Sequence, residues 1–320
     1  MPVTRVDDVD LWYELSEPGR GVRPAAGGDA QTGLPAPLLV LTHGFAGPHW
    51  PPVIDEFRAR FRLLWYHVRG HGRSSVPDDP AAYSLPRFAA DLAALLDALG
   101  IERAHIGGVS MGGMVSAQFA CDYPERLRSL LLCDTTCGNP DGPYGPDGPS
   151  GGAGNDAARA AEASLRDAFD RMALVAEKYG LAELVERENR YRREQDLYAR
   201  TRRASMEEQD AENARKVADM TAAGYVRVAR ALIARPDLVP RLPSITAPAL
   251  VSCGEWDLFY PCALRDASLV PNARMATVRG AAHATPDYQP QLWKQAVFDF
   301  IDDVEAGRDV RGKREYQMSS

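Results

Sequence analysis

Cysteine is sparse in this chain of 320 residues. Five occur, Cys121, Cys133, Cys137, Cys253 and Cys262, an odd number with no Cys-x-x-Cys pair. That spacing excludes a disulfide-stapled scaffold and a structural zinc site, so reduced thiols are expected and neither metal nor other cofactor is implied. Long apolar runs are also missing, and none approaches the ~20 residues that a membrane-spanning helix needs. The start, Met1-Pro2-Val3-Thr4-Arg5, has no charged-then-apolar leader pattern. Positive charge is in deficit, with 37 Lys and Arg against 44 Asp and Glu, a net −7. No basic patch accompanies a nucleic-acid-binding motif. These absences lead to the expectation of a cytoplasmic protein with neither a membrane nor a nucleic-acid partner. A homo-oligomer is compatible with the sequence but not indicated by it.

What remains is ordinary for a globular chain: 45% hydrophobic and 25% charged residues, enough for one large domain with an insertion. Two short alternating segments, 3–6 and 11–15, read as an antiparallel edge hairpin. Residues 16–37 are rich in Gly, Pro and Ala and read as an exposed loop. From 38 to 134 apolar strands alternate with helical patterns, the signature of a mostly parallel sheet flanked by helices. Ser84 caps one such helix, whose Leu85, Phe88, Leu92, Leu95, Leu96 and Leu99 form a stripe that Gly100 stops. At Gly138 the alternation breaks into a Gly/Pro/Asp-rich run. Residues from about 156 to 240 then read as charged helices before strands resume at 248–253 and 273–278. We therefore expect an α/β core from residues 1–137 and 245–306, a helical cap inserted at 138–244, and a polar, frayed C-terminal tail at 307–320.

The most informative stretch is Gly107-Gly108-Val109-Ser110-Met111-Gly112-Gly113. An apolar strand over 104–109 runs into a helical pattern after Ser110, so Gly108-x-Ser110-x-Gly112 lies at a sharp strand-to-helix turn. That context is the one a nucleophile elbow requires. Glycines allow the tight turn, and Ser110 is expected in a strained conformation that pushes its hydroxyl outward. The Met111 amide at the helix start is placed to donate to an oxyanion.

A serine hydroxyl is a poor nucleophile unless a base takes its proton and a carboxylate orients that base. The chain supplies both after later strands: Gly254-Glu255-Trp256-Asp257, then Gly280-Ala281-Ala282-His283. Asp257 is the favoured acid. Asp134, which ends the strand after the elbow helix, is a rival placed to reach the same imidazole. His43-Gly44-Phe45 ends an earlier strand beside the elbow, where the Phe45 amide would be a second oxyanion donor. His43, Gly44, His49, Trp50 and Trp256 are candidates for the pocket wall. His67, His71 and His105 have no matching carboxylate or metal spacing and read as structural.

On His43-Gly44, Arg69-Gly70-His71-Gly72-Arg73-Ser74, Gly108-Val109-Ser110-Met111-Gly112-Gly113, Tyr123-Pro124-Glu125-Arg126, Gly254-x-x-Asp257 and His283, the chain resembles the α/β-hydrolase superfamily over essentially its whole length. Ser110-Met111-Gly112-Gly113-Met114 and Leu131-Leu132-Cys133-Asp134-Thr135 look most like the branch of 3-oxoadipate enol-lactonases and related esterases. One departure is His67, which stands where the family has an aspartate before x-Arg-Gly. The resemblance implies acyl transfer to a serine, because the similar dehalogenases and epoxide hydrolases need aspartate at the elbow. The expected activity is hydrolysis of a small-molecule carboxylic ester or lactone. Carbon–carbon hydrolysis of a vinylogous diketone and a ligand-binding protein with little turnover are the alternatives. The many arginines of the cap would suit an anionic substrate, but mixed Arg and Glu on long helices also mark solvated faces.

Overall fold

The computed structural model describes residues 3–17, 37–47, 53–139, 153–194 and 206–318. Among them, nine strands form one sheet in the order β1-β2-β4-β3-β5-β6-β7-β8-β9. β1 (Val3–Val6) and β2 (Val9–Ser16) pair antiparallel, as the hairpin pattern predicts, and β2 continues antiparallel onto β4 (Arg62–Tyr66). All other pairings are parallel: β3 (Leu38–Thr42), β5 (Ala104–Val109), β6 (Leu127–Cys133), β7 (Ala249–Gly254), β8 (Ala273–Val278) and β9 (Gly312–Tyr316).

Parallel strands are buried on both faces, which is why β3, β7 and β8 are buried at every position rather than at alternate ones. Along β3, Leu38 and Val40 enter one core while Leu39 and Leu41 enter the other. The first core takes α2 (Leu85–Ala98) and α3 (Met111–Asp122). The second takes α1 (Ile54–Arg60) and α9 (Pro290–Glu305), with Phe57 stacked on Trp293 at 4.9 Å. Ser84 caps α2 by accepting from the Arg87 amide at 3.2 Å.

Between β6 and β7 the described residues form α4 (Ala153–Glu194), α5 (Met206–Lys216) and α6 (Ala222–Ile233). Gly180, at φ 84°, breaks α4 into two helical stretches. α6 packs closely on the loop after β4. A Cβ on Gly224 would lie 2.2 Å from the Gly70 carbonyl oxygen, so only glycine permits that approach. Thr136 and Arg265 both donate to Glu162 of α4, at 2.6 and 2.8 Å, and Lys216 pairs with Asp287 at 3.1 Å. No helix among the described residues is long and apolar enough to cross a membrane.

The C-terminal segment corrects an expectation. Residues 307–320 read as a frayed polar tail, yet Gly312–Tyr316 pairs with β8 from Arg274↔Gly312 to Val278↔Tyr316. As an edge strand, β9 buries only Tyr316. A backbone ladder and ion pairs hold it, Arg314 with Asp303 at 3.2 Å and Glu315 with Arg279 at 2.7 Å. Its charged side chains carry no hydrophobic period to read, and they also blunt the exposed edge.

Candidate active site

Strand order reverses at β3: the chain steps outward to β4, then returns to β5 on the other side. A crevice opens at such a switch point, beyond the carboxyl ends of the strands. β3 delivers His43-Gly44-Phe45 there, and β5 delivers Ser110. A Cβ built on Gly44 would touch the Ser110 Cβ at 3.9 Å, so the two segments lie side by side.

Ser110 has φ 54° and ψ −115°, the strained conformation expected of the elbow. Its amide donates to the Cys133 carbonyl at 2.9 Å, and its carbonyl accepts from Thr135 Oγ1 at 2.7 Å. The backbone is thereby pinned on both sides. Cβ atoms on Gly108 and Gly112 would come within 2.6 and 2.0 Å of the Thr42 carbonyl oxygen. The glycines of Gly108-x-Ser110-x-Gly112 are required by that crowding.

His283 follows β8, and Asp257 follows β7. The His283 Nδ1 lies 3.0 Å from Asp257 Oδ2, and its Nε2 lies 3.2 Å from Ser110 Oγ. With the Nδ1 hydrogen given to Asp257, Nε2 is left to accept from the serine hydroxyl. Asp257 is buried, and its other oxygen accepts from the Phe259 amide at 2.9 Å. The Phe259 ring meets the imidazole edge-on at 5.3 Å. Partial burial works to lower the His283 pKa. The charge and hydrogen bond of Asp257, with Asp134 behind it, outweigh that and raise it to about 9.

Asp134 does not bond the imidazole. It accepts from the Thr285 amide at 2.5 Å, from Thr285 Oγ1 at 2.8 Å and from the Gly254 amide at 3.2 Å. Burial, then the nearby charge of Asp257, pushes its carboxyl up to about 7. Ligand atoms of Asp134, Cys253 and Asp257 approach within 4.8 Å of one another. They make a poor metal site, because both carboxylates already hold hydrogen-bond donors and burial raises the Cys253 thiol, keeping it protonated.

Two neutral histidines brace the Gly44-Phe45 loop from behind. His43 donates from Nδ1 to the Gly44 carbonyl at 2.8 Å while its Nε2 accepts from the Val68 amide at 3.2 Å. His71 donates from Nε2 to the Phe45 carbonyl at 3.0 Å. Burial pushes their pKa values down to about 4 and about 3, so both rings stay uncharged at neutral pH. The Phe45 ring packs against α4 and α6, 4.3 Å from Tyr225 and 4.9 Å from Phe169. At the family's aspartate position, His67 supplies the acceptor a carboxylate would: its Nδ1 takes the Arg73 amide at 3.0 Å.

The structure thus gathers Ser110, His283, Asp257, Gly44, Phe45 and Met111 at one crevice. Trp256, beside Asp257 in sequence, is 51% exposed, with its amide on the Ala281 carbonyl at 2.9 Å. His49 and Trp50 lie outside the described residues. Sequence reading passed over Thr135, Thr285 and Phe259, which hold the elbow, the histidine loop and the ring face. Single hydroxyl or aromatic side chains in loops leave no periodic signal.

Comparison with known proteins agrees with this fold. Residues 37–290 match the family profile described as the alpha/beta hydrolase fold. The chain is 27% identical over 225 residues to the 3-oxoadipate enol-lactonase 1 of Acinetobacter baylyi, covering 69% of this chain and 72% of that protein. Two solved structures share the fold. The enol-lactonase from Burkholderia xenovorans LB400 has a TM-score of 0.70 and 24% identity, covering 94% of this chain and 99% of that one. The thermophilic esterase from Thermogutta terrifontis has a TM-score of 0.69 and 22% identity, covering 95% and 100%. With its sheet order, its strained serine turn and this match over most of its length, the chain belongs to the α/β hydrolase fold family, a family of hydrolases.

Proposed function

We propose that this protein is a serine hydrolase of carboxylic esters or lactones that works through an acyl-enzyme. The observation that carries this reading is the relay from Ser110 Oγ through His283 to Asp257, at 3.2 and 3.0 Å, on a serine held at φ 54°. His283 takes the hydroxyl proton as Ser110 Oγ attacks the carbonyl carbon, and Asp257 stabilises the imidazolium. The amides of Phe45 and Met111 donate to the oxyanion, each contributing about 10²–10³-fold in rate. Collapse of the tetrahedral intermediate expels the alcohol, which receives the proton from His283. His283 then deprotonates a water that attacks the acyl carbon, releasing the acid and restoring Ser110. With a lactone, acid and alcohol leave as one molecule. Similarity to an enol-lactonase and an esterase supports this substrate class.

The test is mass spectrometry after treatment with a serine-reactive fluorophosphonate, alongside turnover of p-nitrophenyl acetate and butyrate. Labelling at Ser110, with turnover down by on the order of 10⁴-fold or more in Ser110→Ala, is the expected outcome. A folded wild-type protein that neither labels nor turns over would sink the reading and favour ligand binding.

A further inference from the structure

Asp134 stands behind the relay rather than in it, and its contacts span the loops that carry His283 and Asp257. It leaves β6 at φ 45°, a left-handed conformation uncommon outside glycine, asparagine and aspartate. In that conformation one oxygen takes the Thr285 amide at 2.5 Å, and the other takes Thr285 Oγ1 at 2.8 Å and the Gly254 amide at 3.2 Å. Thr285 is two residues beyond His283, and Gly254 is three before Asp257. One carboxyl therefore fastens the histidine loop to the acid loop. The loops touch elsewhere as well: a Cβ on Gly254 would lie 2.6 Å from the Ala281 carbonyl oxygen.

The same carboxyl has an electrostatic reach. Carboxyl oxygens of Asp134 and Asp257 lie within 4.8 Å of each other in a buried site, where two negative charges repel strongly. Asp134 therefore releases its proton late, and once ionised it adds a second negative charge beside Asp257. The remaining groups that face this cluster are the buried thiols of Cys133 and Cys253, kept neutral by burial, and Arg192 of α4, whose positive charge opposes protonation of His283.

We propose that Asp134 is a positioning residue of the relay: its carboxyl ties the Asp257 loop to the His283 loop, and its charge adds to that of Asp257 in holding the proton on His283. This inference rests on the hydrolase reading of Ser110 and His283. The experiment follows the His283 ring by NMR titration in histidine-labelled protein, comparing wild type with Asp134→Asn and Thr285→Val. Fluorophosphonate labelling rates and the pH profile of kcat/KM on p-nitrophenyl acetate are measured on the same proteins.

Asp134→Asn lowers the His283 midpoint by about half to one pH unit and carries the acid limb of kcat/KM down with it. Thr285→Val keeps the carboxyl but loosens the clamp, slowing labelling about tenfold, and Thr285→Ser restores the rate. A variant pair that melts earlier but keeps the wild-type midpoint, limb and labelling rate would overturn the proposal, because the contacts would then be structural only. If Asp134→Asn does not fold, Thr285→Val and Thr285→Ser decide. The titration needs no turnover, so an inactive wild type defeats the hydrolase reading while the midpoint shift still judges Asp134.

Discussion

A serine–histidine–acid set stands at each end of the sheet, one built around Ser110 after β5 and the other around His105 within β5. At the carboxyl edge, His283 joins Ser110 to Asp257. At the opposite edge, His105 lies 2.7 Å from Ser129 Oγ and 3.1 Å from Glu305 Oε1. Residue types and distances are alike, but the surroundings differ. His105 and Ser129 are fully buried within regular strands, whereas the His283 side chain is 45% exposed in a loop. Burial dominates at His105 and lowers its pKa despite Glu305, while at His283 the Asp257 carboxylate prevails and raises it. Three side chains in hydrogen-bond reach are therefore not enough for acyl transfer. The serine must also sit at a turn that a substrate reaches, and the imidazole must be free to take up and release a proton.

Removing the acid from each set separates them most. Asp257→Asn is expected to lower kcat by about 10⁴-fold, since the imidazole loses the partner that fixes its tautomer. Glu305→Gln leaves kcat on p-nitrophenyl acetate within about twofold of wild type, because no step of the proposed chemistry passes through it. Comparable losses in both variants would erase the distinction drawn between the two sets.

A smaller effect follows from the sealed serine. Ser129→Ala strands the buried His105 Nδ1 without its partner, at a cost of about 1–3 kcal/mol in urea unfolding, with turnover retained. Unchanged stability would mean that the His105 network contributes nothing to the fold.

The subtlest contrast is in pH dependence, where the two histidines act with opposite sign. The folded pKa of His105 lies below its ordinary 6.5, so the unfolded chain binds the proton first and stability falls as pH drops below about 6.5. His283 is raised to about 9, so its contribution is complete below 6.5 and fades as pH climbs toward 9. Unfolding free energies across pH 5 to 10 are expected to lose part of their alkaline decline in His283→Ala and part of their acid decline in His105→Gln. Parallel curves in all three proteins would refute both assignments.

Much of the core was readable because its signals are local. Strand periods place β3 to β8, and helix periods place α2 and α3 between them, whereas the helix over Tyr260–Leu269 was not read. Gly108-x-Ser110-x-Gly112 announces its own turn, and Ser110, Asp257 and His283 follow in the order the architecture requires. The two acids were harder to separate. Asp134 and Asp257 end neighbouring strands, β6 and β7, and a strand end alone does not say which way its side chain turns. β9 escaped notice because Lys313, Arg314 and Glu315 are exposed on an edge, where pairing relies on the backbone.

Taken by itself, the sequence determined the alternation of strand and helix, the strained serine turn, and the residue types able to hold and move a proton. Each depends on neighbours a few positions apart, within the reach of backbone sterics and side-chain period. The tertiary structure alone decided that Asp257 bonds His283, that Asp134 bridges two loops, and that Ser129 and His105 form a sealed copy of the same set. Those facts depend on contacts such as Ser110 with His283, 173 residues apart, and Asp134 with Thr285, 151 apart. No local pattern encodes such distances, which exist only once the sheet has brought its strand ends together.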